Sequence, residues 1–292
     1  MLLKNNKNIF CSVSAGYSSV MMAIMLPKWF PNHKIVNVMA NTSKEREESL
    51  DFMNKCDKYY NLNLVWVESE FHEKGIGVTP NIVTYKNLKR NGEIFEQGIK
   101  KLGIPNQKNK WCNRDMKLEV LRKYADSVFG KKNYSIAVGL RADEIDRVRK
   151  DYKTNNVFYP LLDRGVSSKD RNRFWKSQPI KISIPAYKGN CDMCFEKSNR
   201  KLMTILKEDP NKSDWWHKII QTYGSIPIEG KPSYNELMEK NNGLQTFYRG
   251  YNTIEDLIKM AERPFSKATD EYVYENDLLD YEGDCAIGCQ VF

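Results

Sequence analysis

Residues 9–26, IFCSVSAGYSSVMMAIML, constrain this chain more than any other stretch. The apolar run at residues 9–13 has the length and bounding turn of a buried strand. Residues 20–26, rich in Met, Ala and Leu, suit a helix, and Pro27 just beyond reads as its stop. Between them lies the turn Ser14-Ala15-Gly16-Tyr17-Ser18-Ser19. A turn that feeds a strand into a helix N-terminus points backbone N–H groups outward, and the helix dipole adds partial positive charge there. Gly16 permits close approach of the backbone, and Ser14, Ser18 and Ser19 add hydroxyls, so the turn is a candidate phosphate seat. It is neither a Walker A loop nor GxGxxG, and the competing interpretation is an ordinary βα connection.

The following segments repeat the pattern. Residues 34–39 (KIVNVM) read as a second strand, Ala40-Asn41-Thr42-Ser43 as a turn, and residues 44–58 as an amphipathic helix with Leu50, Phe52, Met53 and Cys56 on one side. Residues 62–67 (LNLVWV) read as a third strand. The order β-α-β-α-β implies a parallel sheet with right-handed crossovers, whose ligands bind at the carboxyl ends of the strands. A fourth strand at residues 134–138 ends in Gly139-Leu140-Arg141-Ala142-Asp143-Glu144, with Arg147 beyond. Arg141 is suited to clamp a phosphate bidentately, and Asp143 or Glu144 to hold Mg2+ or orient that arginine. Residues 157–162 (VFYPLL) read as an edge strand.

Residues 78–110 break the rhythm. They are polar and carry Lys86, Lys89, Arg90, Lys100, Lys101, Lys108 and Lys110, which fits a lid, a partner-facing insertion or a solvated helical hairpin. The net charge of +9 points to nucleic acid or a polyanionic small molecule, with a lysine-rich solvated surface as the plainer alternative. No run reaches the length of a membrane span and the N-terminus has no apolar leader, so a cytoplasmic protein is expected.

Seven cysteines without a secretory signal argue against a disulfide framework. Cys11 and Cys56 read as small buried hydrophobes. The other five, Cys112, Cys191, Cys194, Cys285 and Cys289, sit in turn-like contexts. Cys112 precedes Arg114 and Lys117 near the start of a helix expected at residues 116–124, a setting that favours thiolate. Cys191 and Cys194 form a C-x-x-C knuckle, with Gly189 expected to permit its tight backbone, and two thiolates on one side of a turn suit Zn2+ or an iron–sulfur cluster. A thioredoxin-like pair is the rival, without the thioredoxin context. Cys112 serves as a third ligand and Cys285, preferred over Cys289, as the fourth. The three histidines are scattered and make no triad. Helices are expected at residues 169–177, 200–207, 233–240 and 253–261, and Trp215, Trp216, Ile219 and Ile220 form a core stripe. Residues 270–282 are acidic and should be loosely folded unless Cys285 anchors them.

The ordered set SAGYSS, ANTSKE, CNRDMK, GLRADE, GNCDMCF resembles the PAPS-reductase-like (PP-loop, adenine nucleotide alpha-hydrolase) family, in its cluster-cysteine-bearing branch. SAGYSS is similar to SGG-x-[DT]-S: Ser14, Gly16 and Ser19 match, while Ala15, Tyr17 and Ser18 depart from it. ANTSKE resembles NTG-x-E through Asn41, Thr42 and Glu45, with Ser43 in place of glycine. CNRDMK resembles C-T-x-x-L-K, and GLRADE with Arg147 resembles G-[IL]-R-x-[DE]-E…R.

The resemblance implies an α/β fold: a doubly wound parallel sheet, Rossmann-like and of PP-loop type, with a C-terminal helical, cysteine-bearing region. Residues 1–195 would be the nucleotide-binding domain, with a basic insertion near 78–110, and residues 196–292 the helical region and tail. It implies a nucleotide held by Ser14, Ala15, Gly16, Tyr17, Ser18, Ser19 and Gly139, with Asn41 and Thr42 near the adenine. Arg114, Lys117, Arg141, Asp143 and Arg147 would be the catalytic set, and Cys112, Cys191, Cys194 and Cys285 the metal ligands. The implied cofactors are ATP or PAPS, Mg2+ and a [4Fe–4S] cluster, with Zn2+ as its alternative. The implied activity is adenylation-linked sulfur transfer. One alternative is phosphoadenylyl-sulfate reduction through a tail cysteine, and another is a catalytically degraded nucleotide-binding regulatory or phage–host factor with a structural metal. The implied partners are an adenine nucleotide, a nucleic-acid acceptor (tRNA or DNA), a sulfur-donor protein and a second copy of the chain, with no membrane.

Overall fold

Strand β1 (Asn8–Ser12) sends alternate side chains to two different cores, as a strand covered on both faces must. In a computed structural model describing residues 7–73, 76–225, 238 and 242–269, Ile9 and Cys11 pack with helices α1 (Tyr17–Trp29) and α2 (Glu47–Tyr60). Phe10 packs on the opposite face with Val120, Leu121 and Ala125 of α5 (Val120–Phe129). The remaining strands are β2 (Lys34–Asn41), β3 (Val65–Phe71), β4 (Val78–Val83), β5 (Ser135–Ala137) and β6 (Val157–Phe158).

The sheet order is β4-β3-β2-β1-β5-β6. All neighbours are parallel except β3 and β4, and Phe10 lies in register with Val36 on one side and Ile136 on the other. The doubly wound α/β fold expected from the sequence is therefore present. The chain winds outward from β1 through β2 to β3, then restarts on the other side with β5 and β6. That reversal opens a crevice at the carboxyl ends of β1 and β5, the general ligand position in such sheets.

Several boundaries differ from the sequence expectation. Pro27 lies inside α1 rather than ending it: near the C-terminus it forfeits one hydrogen bond, and the helix closes where Phe30 N–H donates to the Leu26 carbonyl at 2.8 Å. Helix α2 starts at Glu47, not residue 44, because the Glu45 carboxylate folds back to accept from Thr42 N–H at 2.8 Å. Strand β3 starts at Val65 because Asn61 and Asn63 take left-handed conformations, with φ of 52° and 50°. The 78–110 insertion is no helical hairpin: its start is β4, returning antiparallel along β3, and α3 (Glu93–Leu102) follows. The 157–162 strand stops at Phe158, and Pro160 opens a short helix, α6 (Pro160–Asp163). The helix expected at 116–124 begins earlier, as α4 (Trp111–Asn113) and a π-helical stretch (Arg114–Glu119) leading into α5.

The expected helices near 169, 200 and 253 are α7 (Ser168–Ser177), α8 (Asn199–Glu208) and, after α9 (Asp214–Tyr223), α10 (Ile254–Glu262). Thr253 caps α10 with Asp256 in a reciprocal capping box. Apart from Met238, the helix expected at 233–240 lies outside the described residues, as do residues 270–292 with Cys285 and Cys289. Among the described residues no helix is long and apolar enough to cross a membrane.

A third core joins α3, Trp111, Met193 and Phe195 to α8, α9 and α10. Its centre is the stack of Trp216 on Phe247, with centroids 3.6 Å apart. Gly98 of α3 makes room for it: a Cβ there would stand 2.3 Å from the Trp111 ring and 2.8 Å from Phe71. Alanine usually improves on glycine in a helix by up to about 1 kcal/mol. Here Gly98→Ala is expected to destabilise the fold by about 1–3 kcal/mol through overpacking, measured as a lower urea midpoint.

Candidate functional site

The crevice between β1 and β5 is a cleft of about 540 Å3. Its floor is residues 14–19, and its walls include the turn after β5, Lys117, Arg147 and Arg171. The turn holds its shape through Ser19, whose hydroxyl lies 2.6 Å from the Ser14 carbonyl and 3.0 Å from that of Gly16. Ser14 N–H donates to the same hydroxyl at 3.1 Å. Gly16 precedes α1 with no side-chain cap, so the helix N-terminus carries no built-in anion.

The departures from glycine-rich sequence have structural reasons. Ala15 packs its methyl into the core. Tyr17 stacks on Trp175 at 4.6 Å, accepts at its carbonyl from the Trp175 indole N–H at 2.9 Å, and accepts at its hydroxyl from Ile182 N–H at 3.2 Å. It fastens α7 and residues after it to the turn. Tyr17→Phe is expected to cost about 1 kcal/mol by orphaning that N–H, read as a lower melting temperature. Ser18 accepts from Arg141 Nη1 at 2.9 Å. Gly139 comes so close to α1 that a Cβ would lie 2.8 Å from Ser19 Cα.

Behind this surface is a charge network. Arg141 pairs with Asp143 and with Glu144, each at 3.2 Å, and Arg147 also pairs with Glu144. Asp143 accepts from Ser168 N–H at 2.9 Å, linking the network to α7. Burial pushes the Asp143 carboxyl up, but the hydrogen bond and charge of Arg141 outweigh it and hold the group below its usual value. Both carboxylates are committed to guanidinium partners, so the Mg2+ expected here does not fit this pair.

The other candidate residues divide. Lys117 lines the cleft. Arg114 points away from it, with its side chain 61% exposed and paired with Asp115 at 2.7 Å. Asn41 is fully buried and donates to Glu68 Oε1 at 2.7 Å and the Lys89 carbonyl at 2.8 Å, so it shapes the segment beneath the site without reaching the cleft wall. Thr42 is buried, with its hydroxyl 3.3 Å from Cys191 Sγ.

Cys112, Cys191 and Cys194 line one small cavity of about 30 Å3, closed by Thr42, Phe95, Trp216 and Phe247 and bordered by Lys110 and Lys117. The knuckle is bound to the segment after β2: Asp192 N–H donates to the Lys44 carbonyl at 2.7 Å, and Asp192 pairs with Arg46 at 2.8 Å. Gly189 is not the residue that bends it, having an ordinary φ of −60°. Asn190 and Met193 take the left-handed conformations, with φ of 62° and 52°. For Met193 this is strained, and complete burial of its side chain offsets the cost. Among the described residues no three His, Cys, Asp or Glu side chains form a group that could hold a metal ion. Cys11 and Cys56 are remote core residues whose thiols are pushed up by burial, Cys56 to about 12.

Glu45, Arg171 and Asn172 are among the cleft residues not singled out as site residues from the sequence. Glu45 lies between the cleft and Cys191, with Oε1 3.5 Å from the sulfur. Arg171 and Asn172 come from α7, and their sequence signal was their spacing from Trp175 on one helix.

No known family model matches the chain. It is 24% identical over 288 residues to the uncharacterized nin region protein ORF290 of Escherichia phage lambda, covering 96% of this chain and 94% of that one. It is 25% identical over 234 residues to the uncharacterized protein MJ0973 of Methanocaldococcus jannaschii, covering 75% of this chain but only 49% of that one. The chain thus spans about half the length of the archaeal relative. Among solved structures it is similar to the U34-tRNA thiolase NcsA from Methanococcus maripaludis with its [4Fe-4S] cluster, at 16% identity and a TM-score of 0.34, over 78% of this chain and 76% of that one.

Proposed function

We propose that this chain binds an adenine nucleotide, ATP, in the switch-point cleft and uses it in adenylation-linked sulfur transfer to a nucleic-acid acceptor. The observation that carries the proposal is a shared wall: Lys117 lines both the anion cleft and the cavity of Cys112, Cys191 and Cys194. A cationic seat for phosphates thereby adjoins a seat of three soft sulfur donors. The turn at residues 14–19 holds the phosphates, and the Arg141–Asp143–Glu144–Arg147 network keeps that turn rigid. An acceptor oxygen attacks the α-phosphorus, the bond to the bridging oxygen breaks, and pyrophosphate leaves with its charge stabilised by Lys117 and the helix N-terminus. A sulfur nucleophile then attacks the activated carbon, and AMP leaves with the oxygen.

Cys112, Cys191 and Cys194 line one cavity but are not drawn together as a ligand group in this structure; in this proposal they would close on an iron–sulfur cluster or Zn2+, with Cys285 as the fourth donor. A [4Fe–4S] cluster held by these cysteines would offer an iron site able to bind sulfur. The net charge of +9 supports a nucleic-acid acceptor.

The test is protein purified without oxygen, assayed for iron and for pyrophosphate release from ATP. About four irons per chain is expected, lost in a Cys191→Ala, Cys194→Ala double variant, together with ATP-dependent pyrophosphate release. Zinc in place of iron would make the thiols structural. Sulfite release from PAPS without pyrophosphate release from ATP would replace the proposal with a reductase.

A further inference from the structure

Helix α7 is fixed to the floor of the cleft by Trp175, through its stack on Tyr17 and its indole hydrogen bond to the Tyr17 carbonyl at 2.9 Å. Arg171 lies four residues earlier, on the same side of the helix, and the docking that seats Trp175 brings Arg171 to the cleft wall. The other two guanidinia there are already matched: Arg141 by Asp143 and Glu144, Arg147 by Glu144. Arg171 differs. Its Nε and Nη2 donate to the neutral Asn172 Oδ1 at 3.0 and 2.7 Å, and among the described residues it makes no ion pair with a carboxylate. Its positive charge is therefore uncancelled inside a cleft of about 540 Å3.

We infer that Arg171 is the anion clamp of this cleft, a specificity-determining residue that grips the outer phosphates of a nucleoside triphosphate opposite the serine turn. As a nucleotide clamp it rests on the reading of the cleft given above. The guanidinium fork turns from Asn172 to two phosphate oxygens, which it matches bidentately and with charge. Arg141 and Arg147 are left to support the turn, while Arg171 distinguishes a ligand by how many anionic groups extend past its first phosphate. The cleft then favours triphosphate over nucleoside.

The test is calorimetry on the full chain with ATP, adenosine and inorganic pyrophosphate, comparing the wild type with Arg171→Ala and Arg171→Gln. Arg171→Gln keeps most of the stem on α7 and guards against a folding defect. Both variants are expected to bind ATP and pyrophosphate about ten- to hundredfold more weakly, with adenosine affinity unchanged. Unchanged ATP affinity overturns the assignment, as does an equal loss for adenosine, which marks a structural role. Wild type that binds pyrophosphate but not ATP removes the nucleotide reading, while a selective pyrophosphate loss in the variants keeps the clamp. Wild type that binds neither overturns both.

Discussion

A Gly139→Ala protein is expected to bind ATP about tenfold to hundredfold more weakly than wild type while remaining folded. The added Cβ would stand 2.8 Å from Ser19 Cα, 3.0 Å from Ser19 N and 3.2 Å from the Ser18 carbonyl carbon. All three are backbone atoms, so no side chain can rotate aside. Gly139 follows closely on β5, which is held between β1 and β6 and limits how far the turn can retreat. The displacement falls on the first turn of α1, whose N–H groups form the proposed phosphate seat. Overpacking of this kind costs about 1–3 kcal/mol, and each 1.4 kcal/mol is about tenfold in affinity. Gly130 is the control: it has a φ of +81° with open space around it, so Gly130→Ala should cost stability alone. Calorimetry and thermal melts on both variants separate the effects. Unaltered ATP affinity in a folded Gly139→Ala protein would refute the phosphate seat.

Arg141→Ala should be the most destabilising single change at the site, by about 3–5 kcal/mol. The side chains of Arg141 and Glu144 are only 11% and 9% exposed, so removing the cation leaves buried negative charge with less compensation. Ser18 loses its donor and Asp143 its partner at the same time. The effect should depend on pH. In the wild type Asp143 is held below its ordinary value, so its contribution is present above the unfolded carboxylate value of about 4 and is lost as pH falls through the folded value. Without Arg141 only backbone hydrogen bonds, including that from Ser168, counter the burial that opposes ionisation, so the carboxyl rises and the acid limb of the stability curve moves to higher pH. Urea midpoints between about pH 3 and 7 read this directly. An acid limb that stays in place would mean that Asp143 does not depend on Arg141.

The parts of the fold legible in the sequence were those fixed by local periodicity. Residues 9–13 and 134–138 read as strands because each is a short apolar run bounded by turn residues, and both are interior strands of the sheet. Strand β4 was illegible: Val78-Thr79-Pro80-Asn81-Ile82-Val83 resembles a loop until β3 is present to pair with it. Helix starts slipped where a side chain captured the backbone first, as Glu45 does at Thr42. The site followed the same rule. Turns after β1 and β5 were legible because topology places strand ends there, whatever the side chains do. Asn41 and Arg114 read as ligand contacts, but sequence position does not say which way a side chain faces, and one is buried against Glu68 while the other pairs with Asp115. Arg171 was overlooked because its position depends on Trp175 meeting Tyr17, a contact between segments far apart in the chain.

The two margins of the sheet have a consequence for crowded solutions. At one margin β6 contributes only two residues. At the other, β4 carries Pro80, which has no N–H to offer an incoming strand. Unpaired strand margins are the usual templates for runaway self-addition, and short length and proline are two ways of disarming them. Among the described residues, a second copy of this chain therefore finds neither sheet margin an open template for strand addition.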